Sequence, residues 1–208
     1  MVGVQASFGR VAKRVAEPLT SDLASKMESL DTPVEMEPPK HASQLSEEEL
    51  RKQAAQARQF SAALGDIVGM FMRTKELRKL TLGALEKMVV PAIATGQYLI
   101  ARAQSKDNGM KLPVAAVLWA TVSETVDHRL STELDRPIRL EPEEWKSGGI
   151  PWLICVTGDR RVVDDMLRKL QSDIFKNTPI KIRRPTEDGR TTIDTISAGQ
   201  VLADELRA

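Results

Sequence analysis

The chain has 208 residues, 41% hydrophobic and 28% charged, with a formal net charge of +1; that balance belongs to a globular domain able to bury a core, and it offers no extended basic surface for nucleic acid. One cysteine excludes an internal disulfide and fits a reducing, cytoplasmic setting, and two histidines with one cysteine do not make a structural metal site. The longest uncharged apolar run, roughly 11 residues from Leu112 to Val122, is too short to span a bilayer.

Residues 1–45 read as a flexible leader. Apolar residues are sparse, Pro33, Pro38 and Pro39 cluster, and no period persists. Within it, Phe8, Val11, Val15 and Leu19 repeat at helical spacing between Arg10, Lys13 and Arg14, which allows a weak basic helix that touches membranes. Residues 46–208 read as the folded domain. Ser46 and Glu49 form a capping-box pattern that opens a helix through Arg73, with Leu50, Ala54, Ala57, Phe60 and Leu64 as its apolar stripe. Thr74 is a candidate cap for a second helix, with Leu77, Leu80, Ala84 and Met88 on one face and Pro91 either ending it or restarting the chain.

The period then changes. "QYLIARA" and "LPVAAVLWATV" read as strands joined at Asn108-Gly109, a strong hairpin signal. Ser123 caps a short helix, "DRPIRLEPEEWKSGG" reads as a loop, and "PWLICV" is another strand. Gly158-Asp159 leads into a helix with Val162, Met166, Leu170 and Ile174 inward. "PIKIRRP" and "RTTIDTI" form a second hairpin, and "SAGQVLADELRA" reads as a closing helix. Helices first, then a mixed sheet flanked by helices, make an α+β domain.

Three segments carry a resemblance. "VVPAIATGQYLIARA" (89–103), "AVLWATVS" (116–123) and "EEWKSGGIPWLICV" (143–156) are similar, in one order and with few gaps, to the RTX-toxin-activating lysine acyltransferases (the hemolysin-activating family). The resemblance runs from about Gly65 to the C-terminus. It implies an acetyltransferase-like fold acting as a cytoplasmic homodimer with no bound cofactor. The acyl donor is acyl carrier protein, and the acceptors are lysines of an RTX-type toxin precursor.

The family relies on a histidine in its first helices and an aspartate on the strand after its second tryptophan. The histidine sits about 14 residues before the proline, which places Leu77 there and Arg78 at the basic residue that follows. The aspartate position falls on Cys155. A lysine amine must lose its proton to attack a thioester, and a histidine oriented by a carboxylate is suited to take it. Leucine cannot do this, and the loss of a general base typically costs about a hundred- to ten-thousand-fold in rate.

Cys155 has two readings. It is either a nucleophile that takes the acyl chain as a thioester, activated by Arg160, Arg161 and a helix N-terminus, or a packed core residue between Ile154 and Val156. Gly158, Arg160 and Arg161 form either a phosphate-binding turn that attracts an acidic carrier or an ordinary capped helix. Trp119 and Trp152 either line an acyl channel or fill the core. His128 reads as chance placement on a helix surface, and the orientation of Glu124 and Asp127 stays open. Two functions follow: a divergent acyltransferase, or a non-catalytic relative that binds and scaffolds. A membrane-associated adaptor working through the N-terminal segment is a third.

Overall fold

The computed structural model describes residues 4–7, 46–106, 108–176, 178–186 and 188–197. A mixed sheet runs in the order β1 (Val4–Ser7), β2 (Tyr98–Gln104), β3 (Lys111–Val122), β4 (Ile150–Gly158), β5 (Ile180–Pro185) and β6 (Thr191–Ile196). All neighbours are antiparallel except β4 and β5, which are parallel. β3 is the central strand, and Ala115 to Ala120 are buried without a break because both faces of the sheet are covered.

Helices α1 (Glu47–Arg73), α2 (Leu82–Ala94) and α3 (Glu124–Thr132) lie on one face. Their core includes Ile67, Phe71, Val89, Leu118, Trp145 and Trp152. Helix α4 (Arg160–Lys169) covers the other face, where Trp119, Leu153, Val163, Leu167 and Ile180 pack. The α+β class and both hairpins agree with the sequence patterns. Gly109 takes the positive φ of 69° that the first hairpin needs.

The capping box at Ser46 and Glu49 is formed, and α1 has the expected span. Its buried face differs from the expected stripe. Ala63, Ile67, Met70 and Phe71 are buried, whereas Leu50, Ala54 and Ala57 are exposed because the first half of the helix extends beyond the sheet. Thr74 caps the end of α1 rather than the start of the next helix; a 3-10 turn, Leu77–Lys79, intervenes, and Thr81 caps α2. Pro91 lies inside α2. It sits one turn from the end, where it removes the N–H that would have bonded Lys87 O, and Thr95 N–H and Oγ1 both donate to the Pro91 carbonyl. Gly96, with φ 72°, closes the helix as Gln97 N–H donates to Ala92 O.

Four residues of the segment read as leader, Val4 to Ser7, pair with β2 as an edge strand. The basic repeat from Phe8 to Leu19 and the closing helix after Ser197 lie outside the described residues. The loop before β4 contains a second 3-10 turn, Pro142–Lys146, which buries Trp145. After Lys169 the chain widens into a π turn, Leu170–Ile174; the altered phase turns Ile174 outward and Phe175 inward, against the expected stripe.

Gly158 ends β4 with φ 113°, and a Cβ there would lie 2.2 Å from Val114 O and 2.5 Å from the Ala115 Cα. The strand can reach helix α4 only with no side chain at this point. Gly158→Ala should cost at least ~2 kcal/mol, whereas Gly69→Ala, in open space on α1, should gain roughly 0.5–1 kcal/mol. Urea unfolding of the two variants measures both.

Candidate functional site

Strand β4 pairs with β3 along its whole length but with β5 only at Trp152↔Lys181 and Leu153↔Ile182. Beyond Leu153 the parallel strands part. At the same place the β3 register skips one residue, with Leu118 opposite Cys155 and Trp119 opposite Leu153. Ile154 is the extra residue of a β-bulge, so its neighbours are re-aimed and it lacks a ladder partner. Ile154 and Cys155 consequently both pack toward the α1–α2 face. The opening between β4 and β5 therefore starts at a bulge and follows the stretch of β4, Ile154 to Gly158, that has no partner on β5; this opening is the cleft.

The turn that follows α1 meets this strand. Thr74 Oγ1 donates to Met70 O at 3.2 Å and lies 2.9 Å from Thr157 Oγ1, so Thr157 is the donor between the two hydroxyls. Leu77 begins its 3-10 turn three residues later, half-buried against the core cluster that also takes Cys155. The structure thus brings the elements that carry Leu77 and Cys155 against one core cluster.

Cys155 is half-buried, and enclosure of its thiol pushes the pKa up to about 12. A neutral thiol at physiological pH favours the packed-residue reading over the nucleophile. Arg160 and Arg161, at the start of α4, are exposed. The Asp159 carboxylate caps α4 by accepting from Arg161 N–H at 3.0 Å and Val162 N–H at 3.3 Å. Those two amides are occupied by an anion of the chain itself, so the geometry is that of an ordinary capped helix.

The two tryptophans belong to opposite cores. Trp119 packs edge-on to Phe175 at 6.2 Å, on the α4 face. Trp152 is wholly buried on the other face, and its Nε1 donates to Asp127 Oδ1 at 2.8 Å. Lys181 Nζ binds both Asp127 oxygens at 2.7 and 2.8 Å and lies 5.7 Å from the centre of the Trp152 ring. This Trp152–Asp127–Lys181 cluster ties α3 to the first of the two paired positions of β4 and β5. Sequence reasoning left the orientation of Asp127 open and passed over Lys181; alternation along "PIKIRRP" separates Lys181 from buried Ile180 and Ile182, but the partner lies 54 residues away. His128, next to Asp127, is exposed.

Among the described residues no group of His, Cys, Asp and Glu could hold a metal ion, and no helix is long and apolar enough to cross a membrane.

A fold in which a helix-turn meets a bulged, splayed strand, with tryptophans at 119 and 152, can be set against known proteins. The family model of the RTX toxin acyltransferases (HlyC) matches residues 56–196, and the chain belongs to that family. The leukotoxin-activating lysine-acyltransferase LktC (serotype A1) of Mannheimia haemolytica is 30% identical over 91 residues, 44% of this chain. The match spans about half of that relative's length, 49%.

Two consequences are measurable. At pH 8, alkylation of Cys155 by iodoacetamide should be at least about a hundredfold slower than in the urea-unfolded chain, because the thiolate fraction falls with the raised pKa. Asp127→Asn should cost about 1–2 kcal/mol in chemical unfolding, since the paired side chains keep some solvent contact.

Proposed function

We propose that the chain is a protein-lysine acyltransferase of the toxin-activating kind. It takes a fatty acyl group from acyl carrier protein in the cytoplasm and passes it to lysines of an RTX-type protein, working as a homodimer. The observation that carries this reading is the family match over 56–196, which spans the turn at Leu77, the bulge and the splayed strand. The cleft supplies a place for a thioester carbonyl beside the bulged main chain.

With Leu77 and Cys155 in place of the family histidine and aspartate, nothing at that point takes the proton of the attacking amine. The lysine must enter already neutral, having lost its proton to solvent. Transfer is then slow, and its rate follows the free-amine fraction, rising about tenfold per pH unit toward the ordinary lysine pKa of about 10.4. A histidine base would instead level off just above its own pKa of about 6.5.

A second reading rests on the same two residues: a relative that binds the carrier or the toxin without chemistry. The test is intact-mass measurement of an RTX-type fragment incubated with palmitoyl-acyl carrier protein and this chain. The acyltransferase reading expects hydroxylamine-resistant palmitoyl adducts that accumulate with the steep pH dependence. Leu77→His with Cys155→Asp should raise the rate by roughly a hundred- to ten-thousand-fold. Carrier binding with no adduct from either form would establish the binding relative. A hydroxylamine-labile adduct on the chain itself, absent in Cys155→Ala, would return the thiol to the mechanism. Loss of both binding and transfer would leave only the fold in common.

A further inference from the structure

Away from the cleft, a cavity of about 460 Å³ opens where the end of α3 meets the loop leading to Trp145 and one side chain of β5. Arg129, Arg136, Arg139 and Arg183 line it, against Glu133 and Glu141. Its volume is that of a small-molecule site. Four guanidinium groups meet the two lining carboxylates and Glu144, which pairs with Arg129, and still leave an excess of positive charge in a concave space.

The arginines are held in different ways. Arg183 Nε and Nη2 donate to Leu130 O at 3.0 and 2.5 Å, and its Nη1 donates to Arg136 O at 2.7 Å. These bonds satisfy a carbonyl in the last turn of α3 and fix the guanidinium without a hydrogen-bonded carboxylate. Arg129 is fixed by Glu144 at 2.6 Å and by Arg139 O at 3.3 Å. Arg136 reaches Glu133 only at 4.0 Å, with both side chains well exposed, so that pair contributes little. Arg139 is exposed, and its guanidinium has no ion pair or hydrogen bond among the described residues. Two arginines are thus prepositioned and two keep donors to spare.

We propose that this cavity is an anion site that takes a small phosphorylated ligand. A planar fork of N–H donors matches phosphate oxygens two at a time, and several forks around one cavity suit a multiply charged group better than a single carboxylate. Prepositioning of Arg129 and Arg183 by main-chain and Glu144 contacts lowers the ordering cost of binding. The site is separate from the substituted positions, so it stands whether or not the chain transfers an acyl group.

Titration calorimetry of the full chain with pyrophosphate tests this. The expected result is one saturable site, weakened by added NaCl. Arg136→Gln with Arg139→Gln should weaken it about tenfold or more, the scale of one lost charge-assisted hydrogen bond, with an unchanged thermal midpoint because neither guanidinium holds the fold. Arg183 is left intact, since its loss would free the end of α3. No saturable binding, or binding indifferent to the double variant, would overturn the proposal. Loss of binding in Arg161→Gln instead would move the anion to α4 and also overturn it. A glutamate-rich peptide that outcompetes pyrophosphate at the same arginines would make the cavity a peptide dock and refute the phosphate assignment.

Discussion

Strand β4 has to satisfy two partners that want different things. Its antiparallel ladder with β3 spans all nine residues and leaves out only Ile154, while its parallel ladder with β5 lasts for two. One extra residue, Ile154, reconciles them. The bulge increases local twist, which turns the second half of β4 away from β5 while β3 still follows it. Everything at the cleft depends on that step: which way Cys155 points, where Thr157 meets the α1 turn, and how Gly158 comes to lie against Val114 and Ala115.

A cleft of this kind needs a fixed end, and the Trp152–Asp127–Lys181 cluster provides it. Asp127 accepts from an indole and from an ammonium that sit on neighbouring strands at the first of the two paired positions. Opening the strands further would separate the two donors and leave a carboxylate short of partners in a largely buried place, which costs more than the contacts themselves supply. The strands are free to part above this point and held below it.

Much of the fold was legible because each element carried a local signal. The Ser46 capping box, the Ser123 cap and the Asn108-Gly109 turn each depend on residues within a few positions of one another. What the sequence did not reveal depends on distance. The exposed first half of α1 has a good apolar stripe, and only the length of the sheet beneath it decides where burial begins. Thr74 is a plausible cap in either direction, and the hydroxyl of Thr157, 83 residues on, accompanies its place at the end of α1. For the candidate site, the resemblance located Leu77 and Cys155, but the bulge that turns Cys155 toward the helices is a mismatch between two strands and has no signature in either alone. The arginine cavity is hidden for the same reason: Arg183 lies more than forty residues after the loop it supports.

The resemblance sets a histidine and an aspartate where this chain has Leu77 and Cys155, and these two residues make physical sense together. A histidine facing a half-buried strand needs a partner for its ring, and an aspartate enclosed there needs a donor. Either one left alone would be a polar group stranded against the core, at a cost of about 1–3 kcal/mol. Leucine and a neutral thiol remove both demands at once, since each packs against the same apolar cluster. Replacing both members of a polar pair by apolar groups of fitting shape is close to neutral for stability. The form of the cleft is independent of both, because the bulge, the Thr74–Thr157 contact and the Asp127 clamp do not depend on either residue. The form of these strands is consequently weak evidence about rate.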